Sequence, residues 1–211
     1  MDRTRLEAFS DGVFAVAITL LALNLTVEGP AGKVWLGGQL SAKWPAFVGY
    51  LISFLTIGII WVNHHALVRS IKQVDRVLLF VNQILLIFVV LIPFGTATMA
   101  DYLPHNSSSA RLAMVLYSAI FLGMSVGFGA IFEWTLRSGN VYQPLPPEQH
   151  WPARRRFVGG ALVYVVSTVV AAFDALAAFV LISVVAVYYV FERTPTPPAT
   201  PGSPDDSPLV G

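Results

Sequence analysis

The sequence predicts an all-α integral membrane protein with six transmembrane helices and both termini in the cytoplasm. Three observations carry that expectation. First, 55% of the 211 residues are hydrophobic and 12% are charged, with a mean hydropathy of +0.68. Soluble domains run at roughly 45–50% apolar and about 25% charged. Second, six apolar stretches approach the length of about 20 helical residues that a hydrocarbon core requires. Third, lysines and arginines segregate between alternate connections, as the positive-inside rule demands. The same composition leaves too few charges to cover a soluble enzyme and excludes disorder for most of the chain. A net charge of +1 provides no electrostatic footprint for nucleic acid. The absence of cysteine excludes disulfides, thiolate metal sites and cysteine nucleophiles. No repeated period-2 alternation points to a β-barrel.

The first stretch is Leu6–Leu25, and five further stretches follow it, so it does not read as a removable signal peptide. Thr4 and Glu7 have the spacing of a capping box at its start, and Glu28-Gly29-Pro30 is expected to end it. The second stretch is Ala46–Val68. The third is Val77–Met99, which Pro93 is expected to bend. The fourth, Leu112–Phe132, leads to an interfacial Glu133 beside Trp134. The fifth and sixth, Phe157–Phe173 and Leu176–Phe191, are the shortest and should form a tight hairpin at Asp174. Ser138–Pro152, with four prolines, reads as a cytoplasmic loop. The domain therefore spans residues 1–193. Thr194–Gly211 reads as a disordered Pro-rich cytoplasmic tail (194–211). One side of the membrane carries Arg3, Arg5, Arg69, Lys72, Arg76, Arg137, Arg154, Arg155, Arg156 and Arg193. The other carries Lys33, Lys43 and Arg111. Arg154-Arg155-Arg156 reads as an inner-leaflet anchor that can contact anionic lipid.

At 100° per residue, Gly12, Val16, Thr19 and Leu23 fall on one narrow face of the first helix, with Leu20 at its edge. Ala8, Ala15 and Ala22 form a neighbouring seam of small residues suited to close helix packing. Thr19 has a plain alternative, a bond to the carbonyl of Ala15 one turn back. Asp11 and Glu7 share a face four residues apart. A charged Asp at the bilayer centre costs about 2.5–3.5 kcal/mol, less near the interface. The pair therefore needs partners, with Arg5, His64, His65, Arg69 and Lys72 as candidates. It reads either as an interhelical polar clamp or as a cation or proton site, and the clamp is preferred. In Trp61-Val62-Asn63-His64-His65 the adjacent histidines do not share a face, so joint metal ligation is not expected. Asn63 and His64 are better suited to hydrogen bonding across helices, toward Ser10 or Asp11. Trp61 also fits an interface anchor.

Arg5-Leu6-Glu7-Ala8-Phe9-Ser10-Asp11-Gly12, continuing through Leu21, resembles the signature of the transmembrane protein 175 family, an Arg followed after three residues by Phe-Ser-Asp. Trp61, Asn63 and His64 are similar to that family's second helix. The resemblance implies a potassium-permeable channel that assembles as a homotetramer from single-repeat prokaryotic subunits in the plasma membrane. By motif position it implies a pore lined by Val16, Thr19 and Leu23, with Leu20 nearby. It also implies a structural polar network of Arg5, Phe9, Ser10, Asp11, Trp61, Asn63 and His64. Position 16 is Val where many relatives carry Ile or Leu, so Val16 and Leu23 compete for the narrowest ring. No Thr-Val-Gly-Tyr-Gly filter occurs in the chain, so selectivity would rest on rings of side chains and a hydrophobic gate. K⁺ would be the permeating ion, with no cofactor, no resident metal and no nucleic acid. The alternative is a proton-coupled transporter that uses Asp11 and His64. No Gly-x-Ser-x-Gly, His-Glu-x-x-His or paired catalytic aspartates support an enzyme.

Overall fold

The structure, a computed structural model, describes residues 2–26, 35–105 and 107–191. These form α1 (Arg3–Leu23), α2 (Leu36–Ala42), α3 (Trp44–Arg69), α4 (Arg76–Tyr102), α5 (Ser108–Ser138), α6 (Pro147–Ala171) and α7 (Ala175–Phe191). A short 3₁₀ turn, Leu103–His105, links α4 to the chain before α5.

Asp2, rather than Thr4, caps α1. Its side chain accepts from the backbone N–H of Thr4, and Thr4 lies inside the helix. Glu7 is thereby released from the expected capping box and turns to another helix. At the far end Asn24 is the C-cap, so α1 stops before Leu25; Glu28-Gly29-Pro30 lies outside the described residues. The same is true of Lys33, Arg193 and Thr194–Gly211. α4 starts on an Asp75 side chain that accepts from the Leu78 N–H, and it continues through Pro93 as one helix. α5 starts on Ser107 and ends on Gly139, whose φ of 66° is left-handed backbone that glycine adopts without a Cβ clash.

Four of these helices, α1, α3, α4 and α5, are long and apolar enough to cross a membrane. That corrects the six expected spans. The expected fifth span fails because α6 begins at Pro147 within the segment read as a loop. Its opening turns therefore carry Glu148, His150 and Arg154–Arg156. The apolar remainder, Phe157–Ala171, rises only about 22 Å at 1.5 Å per residue, short of a core about 30 Å thick. The expected sixth is a 17-residue helix, also short of a span. The hairpin at Asp174 is present: α6 ends at Ala171, and Asp174 Oδ1 accepts from the Ala177 N–H at 3.0 Å.

α4 and α5 share the largest interface and form the spine of the bundle. α1 packs on α4 and α3, and α6 and α7 pack on the other side of α5. The core runs through Phe14, Leu85, Ile92, Met114, Tyr117 and Phe121, all essentially inaccessible. Within it Ser53 Oγ lies 2.7 Å from Thr96 Oγ1 and 2.8 Å from Tyr117 OH, tying α3, α4 and α5 together. Gly127 permits the close approach of α5 to α4: an added Cβ would sit 3.0 Å from Leu85 Cα. Gly127→Val is expected to push the two helices apart at about 1–3 kcal/mol. The measurement is the thermal midpoint of the detergent-solubilised protein, which should fall.

Most of the basic residues gather at one end, with Lys43 and Arg111 at the other. Arg3 Nη1 donates to the carbonyls of Arg69 and Ile71, at 3.1 and 3.4 Å. Arg3 and Lys72 both lie over the Tyr142 ring, 5.8 Å from its centroid. Lys72 N–H donates to Asn140 O at 2.8 Å, and Tyr142 N–H to Ser70 O at 2.9 Å, joining the α3–α4 and α5–α6 connections. Glu133 accepts from Arg137 at 2.6 Å and from two nitrogens of Arg154, at 2.8 and 2.7 Å, which ties α5 to α6.

Candidate functional site

α1 has two unlike faces. Leu6, Ser10, Phe14, Ala17 and Leu21 recur every three or four residues and are buried against α3 and α4. The opposite side is open in the single chain. Val16 is 56% and Leu23 70% exposed, and Gly12, Thr19 and the alanines 8, 15 and 22 are exposed beside them. Leu20, at 37%, marks the edge of this face. Arg5 and Phe9 are exposed too, and one helical turn apart they continue the same stripe toward the basic end. Thr19 Oγ1 donates to Val16 O at 2.8 Å, three residues back rather than four. Its hydroxyl proton is thus held by the helix while its oxygen lone pairs remain exposed.

Two sets of contacts hold the basic half of α1. The first is buried. Asn82 Nδ2, from α4, donates to Ser10 Oγ at 3.1 Å, and Asn82 Oδ1 lies 2.7 Å from His64 Nε2, from α3. Ser10 in turn donates to Leu6 O at 2.9 Å. With the Asn82 oxygen as acceptor, His64 must carry its proton on Nε2. His64 Nδ1 is buried and makes no hydrogen bond, and the ring lies 5.4 Å from that of Phe14. The second set is at the surface of the bundle. Trp61 Nε1 donates to Asp11 Oδ1 at 2.8 Å. Glu7 Oε1 lies 2.9 Å from His65 Nδ1 and 3.8 Å from Arg69 Nε. Carboxylates on α1 therefore meet an indole, an imidazole and a guanidinium on α3. Two carboxylates one turn apart on α1, each facing donors on α3, fix the register of the two helices as well as their contact.

Glu7, Asp11 and His65 place one donor atom each within 4.8 Å of one another. Glu7 and Asp11 already have protein partners in Arg69 and Trp61, which accounts for the cluster without an ion. His64 and His65 do diverge as their adjacency requires: one enters the core and the other faces Glu7. His64 reaches Ser10 through Asn82 rather than directly, and Asp11 and His64 each have their hydrogen bond elsewhere. Asn63 lines the cavity between α3 and α6. Asn82 was missed at the level of sequence. Its signal was an adjacent pair of amides, Asn82 and Gln83, inside the apolar run Val77–Leu91, where an unpaired polar group is costly.

An apolar multi-helix bundle, with four helices long enough to span and α1 clamped by a buried amide and an interhelical ion pair, is a multi-pass membrane protein. Residues 5–93 match the family described as "Endosomal/lysosomal potassium channel TMEM175". A potassium channel of Streptomyces collinus is 37% identical over 201 residues, covering 95% of this chain and 97% of the relative. The human endosomal/lysosomal proton channel TMEM175 is 32% identical over 158 residues, which is 68% of this chain but 30% of that protein. The crystal structure of a lysosomal potassium-selective channel TMEM175 homolog from Chamaesiphon minutus superposes with a TM-score of 0.79. It is 30% identical and covers 89% of this chain and 96% of that one. The chain belongs to the TMEM175 potassium-channel family and resembles its prokaryotic members. Its role is therefore transport rather than catalysis.

Proposed function

We propose that four copies of this chain surround a water-filled axis in a prokaryotic plasma membrane and conduct K⁺ along their α1 helices. Val16, Thr19 and Leu23 line the conduit, with Leu20 nearby. Val16 and Leu23 form apolar rings that gate by dewetting, and the Thr19 hydroxyl oxygens offer the ion a polar waypoint between them. The observation that carries this reading is the outer face of α1. It combines four small residues, a hydroxyl and branched side chains, and nothing among the described residues covers it. Small residues let neighbouring helix backbones approach closely in lipid. The Ala8, Ala15 and Ala22 seam then meets the next subunit while the adjacent stripe faces the axis. The clamp from Trp61, His64, His65 and Asn82 sets the position of α1, and through it the ring diameters. Selectivity from side-chain rings, without a backbone carbonyl filter, implies modest discrimination between K⁺ and Na⁺.

The test is flux from liposomes loaded with K⁺. Purified protein is expected to pass K⁺ down its gradient, and the flux should persist when the proton gradient is collapsed. Flux that requires a proton gradient would overturn the channel reading in favour of proton coupling through Asp11 and His64.

A further inference from the structure

On the side of the bundle away from α1 lies a cavity of about 410 Å³ between α3, α5, α6 and α7. α3 and α6 diverge here, since each packs closely on α5 or α7 but not on the other. Along α3 the lining extends from Thr56 to Ser70, about 21 Å at 1.5 Å per residue. One leaflet of a hydrocarbon core is about 15 Å deep, so the cavity matches the depth of one leaflet plus its headgroup region. The lining is mainly apolar, with the hydroxyls of Thr56, Ser125 and Tyr164 toward the deep end, Phe128 and Phe132 along the middle, and Ser70, Gln143 and Arg156 at the basic end of the bundle.

The charge at that end is unbalanced. Glu133 is the carboxylate that meets the Arg154–Arg156 run, and it is already held by Arg154 and Arg137. Arg155 and Arg156 are exposed and make no ion pair among the described residues. A long apolar slot ending at an unneutralised guanidinium fits an amphiphile with an anionic head. We propose that this cavity holds one acyl chain of an anionic phospholipid, with its phosphate on Arg156. The surrounding bilayer is as apolar as the slot, so burying the chain gives little preference by itself. Preference among lipids with identical chains must come from the head and hence from Arg156. The site is independent of the conduction proposal, because it does not involve α1.

The experiment is a lipid titration of the full chain in mild detergent, read by native mass spectrometry. Phosphatidylglycerol and phosphatidylcholine with identical acyl chains are compared. Wild-type protein is expected to bind phosphatidylglycerol about fivefold more tightly, as one arginine at an anionic surface provides. Arg156→Gln should abolish the preference, while Arg156→Lys and Arg155→Gln should keep it. Ala66→Phe fills the cavity without altering charge, and it should abolish the preference too. Elution as a monodisperse species checks folding; if Arg156→Gln fails it, Ala66→Phe decides. Equal binding of the two lipids by wild type overturns the proposal. So does a preference that survives Arg156→Gln or Ala66→Phe. A change of oligomeric state in Ala66→Phe without a lipid preference in wild type would assign the cavity to a second copy of the chain and overturn it as well.

Discussion

Leu23→Ala in the reconstituted protein is expected to raise K⁺ flux several-fold and to admit more Na⁺. Leu23 is the most exposed large side chain on the outer stripe of α1. In the proposed tetramer its side chain, near the end of the helix, points toward the fourfold axis. A ring of four leucines excludes water by shape and by its lack of hydrogen-bonding groups, so an ion must shed hydration to pass. Removing three carbons from each of four side chains widens the ring and lets water persist in it. Each 1.36 kcal/mol removed from a barrier is about tenfold in rate, so partial relief of the dewetting barrier suffices for the expected change. Single-channel recording in K⁺ and then Na⁺ is the measurement. Val16→Ala should act in the same direction, and the variant with the larger gain identifies the narrower ring. Unaltered conductance and selectivity in both variants would remove α1 from the conduit.

The largest expected stability effect belongs to Asn82→Ala. Among the described residues Asn82 hydrogen-bonds both Ser10 of α1 and His64 of α3. Its loss leaves the imidazole N–H without an acceptor and removes a donor from Ser10, in a part of the core without access to water. A buried polar group left unsatisfied costs about 1–3 kcal/mol. Both groups are affected, and His64 Nδ1 already lacks a partner. The thermal midpoint in detergent should therefore fall more than for Gly127→Val. Asn82→Asp tests the direction of the network. A carboxylate cannot donate to Ser10 but accepts well from His64, so that variant should retain part of the lost stability. A midpoint unchanged in Asn82→Ala would mean that the amide does not hold the three helices together.

Some of the site was legible because it depends on neighbours along one helix. The two faces of α1 follow from the 100° step between residues. The placement of Val16, Thr19 and Leu23 on one stripe therefore needed no tertiary information, and the buried set from Leu6 to Leu21 lies opposite. The requirement that Asp11 and Glu7 find cations or donors on another helix was equally local. The identity of those donors was legible only in part. His65 and Arg69, two of the expected candidates, meet Glu7, whereas Asp11 is met by Trp61, which was not among them. These pairings depend on how far α1 and α3 slide along one another. That offset is set by packing against α4, and Asn82 was invisible as a partner for the same reason. The span count failed on a boundary. Four prolines marked residues 138–152 as a loop, but proline is acceptable in the first turn of a helix, and α6 starts at Pro147.

From its order of residues alone this chain is committed to apolar helices, to a membrane, and to an α1 with one side of small and branched residues. Those properties arise from composition and helical periodicity, which act over a few residues. Contact between distant segments settled the rest: which side chains satisfy the carboxylates, where α6 begins, and the slot between α3 and α6. Each depends on the volumes and crossing of helices far apart in the chain, and no short window of residues contains that information.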